Sequence, residues 1–267
     1  MSVITMVLAA AVIIALVKYG LLVGLNHISS ALSWSAKTRG QAMGYATSAP
    51  ELVTLIAAGL SGVWEAGLWN IASSNIINAA LMIIAVFVYG QSRDLLNRRF
   101  LDEIGFGLLG ILAPIVLMQF HLDTHWLVVP VLLGLFTFYL FADRLLNRRP
   151  KPKVANSVGS LPIGLIMCLT ALTLIAVAGF FLGDATKAVV EQAGIHPALA
   201  GWILGIVTSL PEVVTFFGIF AKSRAEGNEH KIDDTQEVLD NLAASNMSNT
   251  GLIYPVGLTV YLLVALM

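Results

Sequence analysis

Long apolar runs are the feature that most limits how this chain can fold. Eight runs are long enough to cross a bilayer, since a membrane-spanning helix needs about 20 mostly apolar residues. They cover residues 2–33, 36–60, 68–90, 103–121, 126–146, 158–183, 196–221 and 238–266. Only 12% of the residues are charged, whereas soluble domains average about 25%. The sequence therefore predicts an all-α membrane protein, a helical bundle of about eight spans; merging or splitting the runs would give seven, nine or ten.

The basic residues are sorted by loop, and this sorting predicts the orientation of the chain. The loops after the first, third, fifth and seventh runs hold 13 of the 15 lysines and arginines. Because basic loops stay in the cytoplasm, we expect these loops to be cytoplasmic and both termini to lie outside, in a prokaryotic plasma membrane. The net charge of -1 gives no reason to expect a nucleic-acid partner. The lipid bilayer and inorganic cations are the expected partners.

A pair of motifs occurs twice along the chain. Residues 44–54 (GYATSAPELVT) and 205–215 (GIVTSLPEVVT) agree at seven of eleven positions. Residues 70–78 (NIASSNIIN) and 241–249 (NLAASNMSN) agree at five of nine. The first copy begins in the second predicted span and the other in the seventh, five spans later. Because each span reverses the direction of the chain and five is odd, the copies cross the membrane in opposite directions. Such inverted repeats build many secondary transporters, whose ion sites lie near the bilayer midplane.

The repeat divides the chain into two inverted halves, residues 1–150 and 151–267. The first half carries TSAPE and NIASSNIIN, and the second carries TSLPE and NLAASNMSN. The basic, proline-containing segment at 148–157 is the predicted linker between the halves.

Each copy is predicted to break a membrane helix beside a carboxylate. A proline inside a helix removes one backbone hydrogen bond and displaces the carbonyl four residues before it. A freed carbonyl in hydrocarbon needs a partner, and a cation can be that partner. Glu51 and Glu212 directly follow the two motif prolines, and a charged residue at mid-membrane costs about 2.5–3.5 kcal/mol. One such motif would equally fit a kink with a protonated glutamate, but its repetition favours a cation site.

Further oxygen donors lie in the same motifs. Ser74 and Asn78 are four residues apart and share a helix face, as do Ser245 and Asn249. Carboxylate, hydroxyl, amide and carbonyl oxygens suit hard cations and disfavour soft metals. The remaining donors are hydroxyl and amide groups: Thr47, Ser48, Thr208, Ser209, Asn75 and Asn246.

These motifs resemble the α-repeats of the calcium/cation antiporter superfamily, which includes the sodium/calcium exchangers and reads GTSxPE and GNxxGSNIxN. The resemblance implies a secondary active transporter, without cofactor or enzymatic activity, that exchanges Ca²⁺ by alternating access. It implies that Glu51 and Glu212 are the principal ion ligands and that Asn78 and Asn249 complete the centre. It also implies flanking ligands for monovalent ions at Thr47, Ser48, Thr208, Ser209, Ser74 and Ser245, and backbone carbonyl ligands near Gly44 and Gly205.

The chain departs from the family pattern in three respects. Both Asn78 and Asn249 are asparagine, whereas sodium/calcium exchangers often carry aspartate at one of these positions. Family glycines are replaced by Ala46, Val207, Trp69 and Asp240. Such exchangers usually have two five-helix halves, and this chain ends after the match to the eighth helix. We therefore expect a fragment, a divergent short form, or a protein completed by homo-oligomerisation.

The sequence is compatible with more than one counter-ion and more than one function. Two ionised carboxylates would be balanced by one Ca²⁺, two Na⁺ or two protons; the threonine and serine pairs favour Na⁺, and H⁺ is the alternative. A cation channel would show electrodiffusive current instead of coupled flux. An intramembrane enzyme is disfavoured because no nucleophile–base pair or His-rich motif accompanies the glutamates. A non-transporting cation-binding subunit would bind Ca²⁺ without flux.

Overall fold

The computed structural model describes residues 2–146, 159–227 and 232–266, which are almost entirely helical. π-Helical turns at Val17–Leu21 and Asn249–Ile253 join α1 to α2 and α11 to α12, and 3₁₀ turns at Ser92–Leu96 and Arg98–Phe100 precede α6. The predicted linker at 148–157, with the boundary between the halves, lies outside the described residues. The helices are α1 (Ser2–Leu16), α2 (Leu22–Ala31), α3 (Ala36–Thr47), α4 (Ala49–Ser61), α5 (Trp64–Val88), α6 (Leu101–Gln119), α7 (Val128–Leu146), α8 (Leu161–Ala193), α9 (Pro197–Thr208), α10 (Leu210–Ala225), α11 (Ile232–Ser248) and α12 (Tyr254–Ala265).

Seven helical segments of the described chain are long and apolar enough to cross a membrane. They are Ile4–Ala31, Trp64–Val88, Arg98–Gln119, Val128–Leu146, Leu161–Gln192, Pro197–Ala225 and Ile232–Ala265. The remaining predicted span corresponds to α3 and α4, which the polar TSAPE motif interrupts. The predicted all-α membrane fold of about eight spans is confirmed, and the chain is an integral membrane protein.

Predicted span boundaries were wrong where polar residues continue a helix. The sixth span, expected to end at 183, continues in α8 to Ala193, and the seventh, expected to end at 221, continues in α10 to Ala225. The eighth span was expected to begin at 238, but α11 begins at Ile232. In α11 the polar residues from Thr235 to Asp240 are buried against other helices. Their polarity therefore marks contacts inside the bundle and not a loop.

The two repeats interlock through the first half of each broken helix. α3 lies along α11, and α9 lies along α5, so each repeat supports the other. Equivalent glycines bring these helices close together: Gly44 faces the Asn241 carbonyl and Ala244, and Gly205 faces Ser73. A Cβ at either glycine would overlap the partner helix. The two glycines thus set how closely the repeat motifs approach.

Three helices outside this centre form a layer of their own. α1, α2 and α8 pack on one another around an apolar cluster that includes Ile13, Val17 and Ile175. α8 also lies along α4, where Gly179 faces Val53. This layer therefore reaches the broken helix of the first repeat through a close contact.

A buried charged cluster ties α3 to α6, α7 and α11. Lys37 Nζ contacts Asp143 and lies 3.0 Å from Asp240 Oδ1 and 3.7 Å from Glu103 Oε1. The amide of Gln236 donates to Glu103 at 2.9 Å and to Asp240 at 2.7 Å. Three carboxylates surround one ammonium, so Lys37 supplies the positive charge that allows them to be buried.

We expect Lys37→Met to lower the free energy of unfolding by about 3–5 kcal/mol, because removal of one partner leaves buried charge uncompensated. Adding Asp240→Asn should recover part of the loss. Thermal unfolding of purified protein in detergent measures both effects. Lys187→Met is the control, since Lys187 forms an exposed pair with Glu191 at 4.0 Å and surface pairs contribute little. Equal melting temperatures for Lys37→Met and Lys187→Met would show that the cluster is not stabilising.

Candidate ion-binding site

Glu51 and Glu212 each stand at the start of a new helix inside the bundle. The first broken helix is interrupted at Ser48, between α3 and α4, and the second at Ser209, between α9 and α10. Each glutamate lies in the first turn after the break, where the positive end of the helix dipole stabilises a carboxylate. The motif prolines occupy the first positions of these helices, where proline costs no intrahelical hydrogen bond. Both glutamates are 0% exposed.

Hydroxyl groups of both repeats surround Glu51. Ser74 Oγ on α5 donates to Glu51 Oε1 at 2.7 Å and lies 3.0 Å from Ser209 Oγ at the other helix break. The Thr208 hydroxyl also lies within hydrogen-bonding reach of the Glu51 carboxylate, and it donates to Asn70 Oδ1 at 3.1 Å. Two repeats therefore contribute polar groups to one carboxylate.

Glu212 has the equivalent surroundings with the repeats exchanged. Ser245 Oγ on α11 donates to Glu212 Oε1 at 3.2 Å and lies 3.1 Å from Ser48 Oγ. Thr47 reaches the Glu212 carboxylate as Thr208 reaches Glu51, and the two carboxylates are close enough to interact electrostatically. The structure thus brings both predicted glutamates, with their threonines and serines, to one two-fold arrangement between the repeats.

Each glutamate, and each of two motif asparagines, keeps one buried side-chain oxygen without a hydrogen-bond partner in the described part of the chain. Leaving a buried polar atom unpaired costs about 1–3 kcal/mol, so a set of such atoms is expected to bind a ligand. Carboxylate and amide oxygens are those that hard cations prefer. The four atoms are Glu51 Oε2, Glu212 Oε2, Asn78 Oδ1 and Asn249 Oδ1.

Two further motif asparagines, Asn75 and Asn246, hold the helices together. The Asn75 amide donates to a carbonyl of α6 at 2.8 Å, and the Asn246 amide donates to another at 3.2 Å. Their side-chain oxygens accept the amide hydrogens of Asn249 at 2.8 Å and of Asn78 at 3.4 Å. This pairing orients Asn78 and Asn249 so that their donors are used and their oxygens are free.

The predicted backbone carbonyl ligands have hydrogen-bond partners in this conformation. The Gly44 carbonyl accepts the hydroxyls of Thr47 at 3.2 Å and of Ser48 at 2.9 Å. The Gly205 carbonyl accepts the Ser209 amide at 3.1 Å. Because a carbonyl oxygen has two lone pairs, a cation at Gly44 would have to displace a hydroxyl, whereas Gly205 keeps capacity for one more partner.

Comparison with known proteins identifies the family. The family model described as sodium/calcium exchanger protein matches residues 1–143 and 163–265. The chain belongs to the sodium/calcium exchanger family. This confirms the resemblance of its repeats to the calcium/cation antiporter superfamily, which is a group of transporters. No curated protein matches the chain significantly.

Solved exchanger structures share the fold of this family member. A structure of the sodium-calcium exchanger NCX_Mj aligns with a TM-score of 0.55 and 21% identity, covering 97% of this chain and 83% of that one. The H⁺/Ca²⁺ exchanger CAX aligns with a TM-score of 0.64 and 15% identity, covering 99% of this chain and 68% of that one. At these identities the likeness establishes the helical fold.

Two buried polar residues of the site region were missed by sequence reasoning. Asn70 and Asn241 are identical between the copies and are 0% exposed. Their identity at the first position of the second motif was the available signal. Within the described ranges no group of three or more His, Cys, Asp or Glu side chains could hold a metal.

Proposed function

We propose that this exchanger-family protein exchanges Ca²⁺ for Na⁺ across a membrane by alternating access. The observation that carries the proposal is the set of free buried oxygens on Glu51, Glu212, Asn78 and Asn249. Two carboxylates balance the charge of one Ca²⁺, and amide oxygens replace part of its water shell. The transported ion is the substrate of this site, and it requires no cofactor.

The flanking hydroxyls give the counter-ion a place on each side of the carboxylates. Na⁺ can be coordinated by neutral oxygen atoms. Na⁺ bound beside either glutamate would compete with Ca²⁺ for the same carboxylate charge. Ca²⁺ and Na⁺ would therefore occupy the site in turn, which is the condition for exchange. The proposed Na⁺ ligands are Thr47, Ser48, Thr208, Ser209, Ser74 and Ser245, with the carbonyls of Gly44 and Gly205.

One side of the second broken helix borders a cavity. A cavity of about 560 Å³ lies between the α1–α2 helix, α3, α10 and the start of α11. Thr215 lines it and donates to the Glu212 backbone carbonyl at 3.1 Å. Val214 and Gly218 also line it, whereas their equivalents in the first repeat, Val53 and Ala57, are covered by α8. The second broken helix thus borders a cavity at positions where the first is covered by α8, which supports alternating access.

The moving parts are α1–α2 and α8, which pack on each other more than on most of the bundle. Opening the other side would require α8 to separate from α4 where Gly179 faces Val53 and Gly183 faces Ala57. Arg39 on α3 and Lys222 in the last turn of α10 line the cavity, and both are among the basic residues that the sequence sorts to one side of the membrane. We therefore propose that the cavity faces the cytoplasm of a prokaryotic cell and that both termini lie outside. From the sequence repeat, we propose that residues 1–150 and 151–267 are the two inverted halves.

Flux in reconstituted vesicles tests the proposed function. We expect Ca²⁺ uptake into vesicles loaded with Na⁺ and diluted into Na⁺-free medium, and no uptake under a pH gradient at equal Na⁺. The Na⁺ preference follows from the hydroxyl groups beside each glutamate. Uptake under the pH gradient alone would replace Na⁺ by H⁺. Ca²⁺ binding without flux under either gradient would contradict antiport and indicate a non-transporting subunit.

A further inference from the structure

Asn241 is a buried amide whose two polar atoms have no hydrogen-bond partner in the described part of the chain. Its side chain is 0% exposed, and both Oδ1 and Nδ2 are unpaired. A buried amide usually satisfies most of its donors and acceptors. Water or a cation is therefore needed to satisfy the oxygen of Asn241.

Asn241 lies between the cavity and Glu212. Residues four apart share a helix face, so Glu237, Asn241 and Ser245 form one stripe along α11. Glu237 lines the cavity, and Ser245 donates to the Glu212 carboxylate at 3.2 Å. The Asn241 backbone carbonyl faces Gly44 of α3. The unpaired amide is thus one helical turn from the cavity and one turn from the carboxylate site.

The side-chain oxygen of the equivalent asparagine in the other repeat has a partner, whereas its Nδ2 has none in the described part of the chain. Asn70 Oδ1 accepts the Thr208 hydroxyl at 3.1 Å. Thr47, the equivalent of Thr208, donates instead to the Gly44 carbonyl at 3.2 Å. The free amide oxygen therefore belongs to Asn241, on the side where the cavity opens.

We propose that Asn241 is a transit ligand for the cation, binding it through Oδ1 between the cavity and Glu212. This rests on the proposed function and extends it to a residue outside the carboxylate centre. The amide oxygen replaces one water of a hard cation, while Nδ2 donates to a water that the cation retains. The ligand serves only the side of the membrane on which the cavity opens.

Transport measured separately from each side tests the role of Asn241. Asn241→Ala should raise, by about tenfold, the Ca²⁺ concentration that half-saturates transport from the cavity side, a loss of about 1.4 kcal/mol. Asn241→Asp should lower that concentration, because it adds charge to the same ligand. Neither variant should alter half-saturation from the opposite side. Asn70→Ala is the matched control and should affect the opposite side more than the cavity side.

Binding to purified protein separates this proposal from the proposed function. In detergent, the rise in melting temperature on adding Ca²⁺ should be smaller for Asn241→Ala than for Asn70→Ala, and larger for Asn241→Asp. If wild-type protein binds Ca²⁺ without flux, antiport fails and this comparison still tests Asn241. If Asn241→Ala does not fold, Asn241→Ser and Asn241→Asp replace it. Equal effects of Asn241 variants on both sides, or none on either side, would overturn the transit role.

Discussion

Glu51→Gln and Glu212→Gln are each expected to reduce Ca²⁺ uptake on the order of a hundredfold, because ligand charge sets the affinity of oxygen sites over orders of magnitude. Glutamine keeps the size of the side chain and one oxygen but removes the negative charge. The remaining glutamate then cannot balance Ca²⁺ in a buried site. Uptake of ⁴⁵Ca²⁺ into Na⁺-loaded vesicles measures the effect.

Membrane insertion should be unchanged in these variants, since an uncharged side chain is easier to bury than a carboxylate. Ca²⁺ should no longer raise the melting temperature of either variant in detergent. Glu65→Gln is the matched control, because Glu65 is exposed at the start of α5. Uptake by Glu51→Gln or Glu212→Gln at the rate of Glu65→Gln would rule out the two carboxylates as ion ligands.

Gly44→Ala and Gly205→Ala are expected to lower the stability of the bundle by about 3 kcal/mol, the upper part of the usual range for overpacking. A methyl group at Gly44 would lie 2.9 Å from Ala244 Cβ, and one at Gly205 would lie 3.0 Å from Ser73 Cβ. Either variant pushes a broken helix away from the partner repeat. The yield of monodisperse protein and the melting temperature measure the loss.

A glycine with open space around it provides the control for this effect. Nothing lies within 4 Å of a Cβ at Gly134 of α7, so Gly134→Ala should be neutral or stabilising by about 1 kcal/mol through helix propensity. If Gly44→Ala and Gly205→Ala were as stable as Gly134→Ala, close approach of the repeats would not be required.

The helical bundle could be predicted from sequence because each span buries apolar residues in lipid or against other helices. Prediction failed at the start of α11, whose polar residues bond to other helices. Gln236 donates a hydrogen bond to Asp240, and Asp240 accepts another from Lys37, although Lys37 is about 200 positions away in the sequence. No local pattern indicates such a contact.

The sequence predicted which residues belong to the candidate site. The structure adds which of their polar atoms are hydrogen-bonded to other helices and which are free. The last two asparagines of each motif look alike in sequence, but Asn75 and Asn246 bind α6, whereas Asn78 and Asn249 keep free oxygens. That division depends on packing between the repeats. The unpaired side-chain oxygen of Asn241 arises for the same reason, since the oxygen of its equivalent Asn70 accepts the Thr208 hydroxyl.

Anomalous diffraction from crystals grown with Ca²⁺ would locate the bound ion. We predict one strong peak within about 2.3–2.6 Å of the oxygens that are unpaired on Glu51, Glu212, Asn78 and Asn249. A Ca²⁺ peak elsewhere in the protein, with these four side chains still unliganded at saturating Ca²⁺, would contradict it.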